Sequence, residues 1–191
     1  MSEGLSQQAD KAYQARHAVQ GRVRQSGGPK HGKLCERIFS EAGSGNVKIR
    51  RAKASDAARC AEFSCVRTAE ELKKLLRRDD TQWLVIEDDG GTVVGLGIIN
   101  FWAWNKMAWI WDLWVDAAER EKGYGRALLK GMLKAAKKSG ARVMMHFGPP
   151  NPHDCSLCEL LVYNGFRVCG TNDRWFADQK NATAVFYGYD L

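Results

Sequence analysis

From Val47 onward the spacing of apolar positions changes period several times, and each change marks an element. Val47-Lys48-Ile49-Arg50 alternates as a half-buried strand does. Ser55 and Asp56 are placed to cap a helix that the pattern runs from Asp56 to about Cys65, and a second helix follows from Ala69 to Arg77. Gln82 to Glu87 reads as a strand, Asp88-Asp89-Gly90-Gly91 as a hairpin turn, and Thr92 to Trp102 as the returning strand. A tight turn near Asn105 leads into a further strand, Lys106 to Val115. Between Gly123 and Ser139 the period becomes helical, with Leu128, Leu129, Met132, Leu133 and Ala136 on one face, and Gly140 stops the helix. Ala141 to Phe147 is a strand, and Gly148-Pro149-Pro150-Asn151-Pro152 is a loop that cannot be helical. Asp154 is placed to cap a helix reaching Tyr163, which Asn164-Gly165 ends. Phe166 to Gly170 and Ala184 to Asp190 are the closing strands, giving the order β-α-α-β-β-β-α-β-α-β-β.

Residues 1–46 have a different texture. Gln, Ser, Gly and basic residues dominate as far as Lys33, Gly27-Gly28-Pro29 interrupts any helix, and Gly43-Ser44-Gly45 reads as a hinge. One short helix fits Lys33 to Glu41. This segment is expected to be a basic, partly disordered extension of a single domain spanning 47–191; a lid or a partner-binding arm is the alternative reading.

Charge and composition then exclude several classes. The extension holds seven Lys/Arg against four Asp/Glu, so +3 of the net +7 sits there and +4 in the remainder; no block stands out as a nucleic-acid arm. No apolar run is long enough to cross a bilayer, and Met1 to Gln20 lacks an apolar signal region, so no membrane partner is expected. Six cysteines lie scattered without a disulfide-framework spacing, which fits a reducing compartment and a cytoplasmic location.

The most specific chemical signal follows the apolar strand that ends at Val115. Arg120-x-x-Gly123-x-Gly125 falls between that strand and the helix after it. Amides in a helix's first turn lack intrahelical acceptors and sit at the positive end of its dipole, and glycines let an anion approach them. Arg120 and Arg126 add fixed charge on either side. The third glycine of a dinucleotide fingerprint would fall at Leu128, and no G-K-[ST] follows, so neither a Rossmann nor a Walker loop is present.

With Asp112-Leu113-Trp114-Val115-Asp116 before it and Ala127-Leu128-Leu129 after it, this pattern resembles the pyrophosphate loop of the GNAT superfamily of acyl-CoA N-acyltransferases, over roughly residues 47–191. The resemblance implies an α/β fold with a central, mostly antiparallel mixed sheet, splayed between strands 4 and 5 and flanked by helices. It implies acetyl-CoA as cofactor and transfer of its acetyl group to a primary amine of a small molecule or protein. Leu113, Trp114 and Val115 would orient the thioester through their main chain. Arg120, Glu121, Lys122, Gly123, Tyr124, Gly125 and Arg126 would hold the pyrophosphate, and Asn151 would contact the cofactor from the later loop.

The acid and base are read from the same resemblance. Many members place a tyrosine four residues before a Gly-Phe pair; here Gly165-Phe166 is present but the matching residue is Leu161. Tyr163 is the nearby phenol, about 200° around the helix from Leu161. Polyamine acetyltransferases look similar through a Glu-Asp strand motif, of which Trp111-Asp112 keeps only the aspartate. Asp112 is therefore the candidate base, against a structural aspartate bonded to backbone.

Other features point elsewhere. Cys155-x-x-Cys158 with His153 and His146 invites a zinc reading, but a second cysteine pair is missing and buried packing explains the spacing, so no metal is expected. Cys60 and Cys65 read as core. Trp104, Trp109, Trp111 and Trp114 crowd the central hairpin, where one or two could wall a substrate cleft. Two other functions stay open: an acyl-CoA-binding regulatory module without turnover, and an acyltransferase acting on nucleic-acid bases. Edge strands of this fold often pair, which allows a homodimer.

Overall fold

A computed structural model describes residues 47–64, 67–175 and 183–191. The readings placed on residues 1–46 and on Cys65 lie outside those residues. The described residues divide into two compact units, one lying within 47–145 with 190–191, the other within 146–189.

The larger unit is a sheet with helices on both faces. Its elements are β1 (Lys48–Arg51), α1 (Ala57–Phe63), α2 (Ala69–Leu75), β2 (Thr81–Glu87), β3 (Val93–Trp102), β4 (Met107–Val115) and α3 (Tyr124–Lys138), followed by the start of β5 (Val143–Gly148). Strands β1 to β4 pair antiparallel with their neighbours in sequence, and β5 pairs parallel to β4 through Met107–Val143, Ala108–Met144 and Trp109–Met145. That parallel ladder stops at Trp109, so the second half of β4 runs on past it. Every residue from Val93 to Ile99 is buried, as a strand covered on both faces requires.

On one face Ala57, Cys60 and Phe63 of α1 and Leu72 and Leu75 of α2 pack on Trp83, Val85, Leu96 and Ile98, with Trp111 and Trp114 against the edge of that cluster. On the other face α3 lies close to the strands, because β3 carries Gly97 beneath it. A Cβ on Gly97 would come within 2.5 Å of Met132 Sδ, and one on Gly95 within 3.0 Å of the Trp114 carbonyl.

Strand β4 carries a bulge. Ile99 pairs with Ile110 but Ile98 pairs with Asp112, which leaves Trp111 as an extra residue. The bulge turns Trp111 and Asp112 to the α1–α2 face together; the guanidinium of Arg67 touches both.

The smaller unit comprises the end of β5, α4 (Ser156–Tyr163), β6 (Arg167–Asn172) and β7 (Ala184–Asp190), with β6 and β7 antiparallel. Cys158 and Leu161 of α4 are fully buried, and Tyr187 of β7 is the largest side chain with no exposure among the described residues.

The element order expected from the sequence holds throughout, and β7 has the expected bounds. Two caps differ. Asp56 precedes α1 but its carboxylate makes no cap bond to that helix; it accepts from the Lys53 amide at 2.6 Å and from Arg50. Asp154 closes a 3₁₀ turn that Pro152 begins, and Cys155 in extended conformation is the N-cap of α4. In both cases a short turn ahead of the helix takes the acidic residue. Helices α1 and α2 are also shorter than their apolar pattern, and β5 starts at Val143 rather than Ala141.

Arg50 pins β1 to the rest of the unit. Its Nε donates to Glu87 at 2.6 Å, and its two Nη atoms donate to Asp56 at 2.7 and 3.0 Å. The guanidinium holds both carboxyls below their usual range, chiefly through these hydrogen bonds. Carboxylates depressed by folding add stability that is present above their unfolded pKa of about 4 and lost as pH falls through the folded values. Urea midpoints are therefore expected to be flat from neutral pH down to about 5 and to fall below about 4. Arg50→Met should lower the neutral-pH midpoint and make that acid-side fall shallower, with the part due to other paired carboxylates such as Asp116 remaining.

Candidate functional site

The turn between β4 and α3 is fixed from three directions before any ligand is considered. The Asp116 amide donates to the Val94 carbonyl at 2.9 Å, and its carboxylate accepts from the Ala118 amide at 3.2 Å. Arg59 of α1 pairs with the same carboxylate and donates through Nε to the Val93 carbonyl at 3.1 Å. Arg59 holds the Asp116 carboxyl below its usual range. Arg120 reaches back with Nε to the Val115 carbonyl at 3.2 Å, closing the turn on the strand it left.

Within that frame the backbone takes a left-handed conformation twice, at Glu121 (φ 65°) and Gly123 (φ 86°). Gly123 is the N-cap of α3 and brings no capping side chain. The first intrahelical bond runs from the Ala127 amide to the Gly123 carbonyl at 3.0 Å, so the amides of Tyr124, Gly125 and Arg126 have no acceptor within the helix. Three donors at a positive helix end, reached over glycines, form an anion cradle. The sequence placed this helix start one residue early, at the residue that is its N-cap. Lys122 pairs with Glu119 at 2.9 Å on the exposed side. Charge beside the cradle thus comes from Arg120 and Arg126, with Arg120 already tied to the strand by one of its five donors.

Strand β4 supplies the neighbouring surface. Leu113 and Trp114 are half-buried and Val115 is buried. Asp112 is 2% exposed; Arg67 Nε donates to its Oδ2 at 2.9 Å and Trp114 Nε1 to its Oδ1 at 3.2 Å. Arg67 lies over the Trp111 ring, 5.0 Å from its centroid, and Arg78 lies 5.7 Å from the same centroid. Arg67, which follows α1 in a short connection, was not among the residues singled out from the sequence. The signal available was indirect: a carboxylate inside Trp-Asp-Leu-Trp must find a cation or several donors when buried.

The smaller unit holds the remaining candidates. Asn151 accepts the His153 amide at 3.3 Å and so caps the 3₁₀ turn before α4. Leu161 is fully buried, and Tyr163, the last residue of α4, is 48% exposed. Tyr187 is the tyrosine that the sequence reading passed over. Burial pushes its phenol up to about 12, and it donates to the Pro149 carbonyl at 3.1 Å. Cys155 and Cys158 are buried, and among the described residues no three metal-ligating side chains converge.

Residues 51–161 match the family model of the Acetyltransferase (GNAT) family. The Salmonella typhimurium protein yncA, solved with its cofactor acetyl-CoA, is similar at 19% identity and a TM-score of 0.64, over 76% of this chain and 94% of that one. A GCN5-related N-acetyltransferase from Kribbella flavida is similar at 22% identity and 0.61, over 76% and 98%. The ribosomal-protein-S18-alanine N-acetyltransferase of Escherichia coli is similar at 12% and 0.62, over 76% and 94%. At these identities the likeness is one of fold. No curated protein matches the chain.

Because Gly123 holds φ 86°, Gly123→Ala forces an L-residue into the left-handed region. The expected cost is about 1–2 kcal/mol of stability, measured by urea unfolding.

Proposed function

Because the chain belongs to the GNAT acetyltransferase family, we propose that it transfers the acetyl group of acetyl-CoA to a primary amine of a small molecule or protein. The observation that carries this reading is the cradle at the start of α3, joined directly to the strand that would carry the thioester. The amides of Tyr124, Gly125 and Arg126 take the pyrophosphate oxygens, with Glu121, Lys122 and Gly123 shaping the approach and Arg120 and Arg126 adding charge. The main chain of Leu113, Trp114 and Val115 lies beyond the last β4–β5 pair, and there the thioester is oriented. Main-chain donors in a partly dry slot stabilise the oxygen that becomes negative when the amine attacks.

The acceptor's nitrogen lone pair forms the new C–N bond, the C–S bond breaks, and the proton lost by nitrogen and the proton gained by the thiolate balance. Holding both reactants supplies most of the acceleration, since attack becomes effectively unimolecular. Leu161 offers no phenol, so water is the donor we assign to the departing thiolate, with Tyr163 as the solvent-facing alternative. Asn151 is retained as a cofactor contact from the later loop. Among the described residues Cys60, Cys155, Cys158 and Cys169 form no disulfide, which agrees with a reducing compartment such as the cytoplasm.

Gly125→Glu tests the cradle by filling it with bulk and negative charge. Calorimetry is expected to show acetyl-CoA binding to the parent chain and at least a 100-fold weaker affinity in the variant, the loss of a few charge-assisted hydrogen bonds. Circular dichroism should be unchanged. Equal affinity for the two proteins refutes the assignment. Turnover across a panel of amines separates an enzyme from a module that only binds.

A further inference from the structure

Resting on that reading, we propose that the acceptor amine carries a carboxylate, and that Arg67 is the residue that recognises it. Four observations meet at this side chain. Arg67 Nε is committed to Asp112, at 2.9 Å, and Asp112 is 2% exposed, so the buried carboxylate fixes the guanidinium in one place. Trp111 lies beneath the guanidinium, 5.0 Å from ring centroid to carbon, and gives it a second contact. The side chain keeps 18% of its exposure, so it reaches the surface of the cluster. Among the described residues, Arg67 hydrogen-bonds through Nε alone, which leaves the Nη donors to an outside acceptor.

A guanidinium held by its Nε edge and its face presents a planar fork, and a planar fork selects a carboxylate. The place is also right for an acceptor. Asp112 directly precedes Leu113, where the thioester is assigned, so an amine attacking there has the rest of its molecule toward Arg67 and the Trp111–Trp114 surface. A second guanidinium, Arg78, lies over the same Trp111 ring, with its Nε and Nη2 bound to Asp80 at 2.8 and 2.6 Å. A polycationic acceptor would meet two guanidiniums at this wall, and an acid meets an unfilled fork. On this account Asp112 is a positioning residue: it holds Arg67 and takes no proton from the amine.

The experiment compares acceptors that differ only in charge: α-amino acids, their methyl esters and the corresponding decarboxylated amines, each assayed with acetyl-CoA and the full chain. Affinity for acetyl-CoA is measured first by calorimetry. If acetyl-CoA does not bind, the parent reading fails and this inference with it; if it binds, the comparison bears on Arg67 alone. The free acids are expected to be favoured by about 10- to 100-fold in kcat/KM, through KM, as a charge-assisted hydrogen-bond pair dictates. Arg67→Gln should erase that preference without changing KM for acetyl-CoA, and Arg67→Lys should keep part of it. Asp112→Asn retains an oxygen for Arg67 Nε, so KM for the acids should rise while kcat and the shape of its pH profile stay as in the parent. A collapse of kcat with an altered profile would make Asp112 a base and overturn its assignment.

Arg67→Gln strands a buried carboxylate. Should that variant not fold, the double variant Arg67→Gln/Asp112→Asn removes both charges and serves in its place. Where no amine in the panel is turned over, binding of N-acetyl amino acids to the CoA complex decides: binding that needs Arg67 supports the proposal. Equal rates for acids and esters, equal binding by the Arg67 variant, or no binding of the acids overturns it.

Discussion

The structure depends on how closely α3 approaches the sheet. A helix seated on a strand with ordinary side chains is held off by them, but Gly97 lets α3 settle until Met132 occupies the space of a missing Cβ. This contact decides where the first turn of α3 lies relative to the end of β4. Amides aimed at an anion are useful only if the strand carrying the reacting group ends beside them. The short turn from Asp116 to Gly123 leaves the strand in a fixed direction because Arg59, Val94 and Arg120 tie it down at the β4 end.

The same strand shows how one irregularity serves two ends. Without the bulge at Trp111, β4 would alternate regularly, and Trp111 and Asp112 would face opposite sides of the sheet. With it, both turn toward α1 and α2, where Arg67 meets the ring and the carboxylate together. A buried ion pair of this kind adds little net stability, because desolvation offsets the attraction. Its retention next to the strand segment assigned to the thioester is easier to understand as positioning than as stabilisation.

Much of the fold is legible in the sequence, for reasons visible in single segments. Val93 to Ile99 reads as a strand because it is buried on both faces, and α3 reads as a helix because Leu128, Leu129, Met132 and Ala136 recur on the face that packs. Asp88 marks the hairpin because its carboxylate accepts from the amides of Gly90 and Thr92. The errors are equally local. Asp56 and Asp154 look like helix caps, yet a preceding 3₁₀ turn claims one and Arg50 the carboxylate of the other. A capping residue is recognised by type, and type does not reveal a better partner elsewhere in the chain.

The glycines and the strand–helix boundary of the cradle belong to the part that is legible in the sequence by itself. Its donors come from one short segment, a strand end and a helix start that glycine marks, while the left-handed Glu121 and the tie from Arg59 to Asp116 carry no local signature. The acceptor wall is different in kind. Arg67 and Asp112 are 45 positions apart, the bulge exists only through the register of β4 on β3, and no local pattern encodes either. Local conformational preference travels with the sequence, whereas the pairing of distant charges is settled only when the strands and helices that carry them have packed.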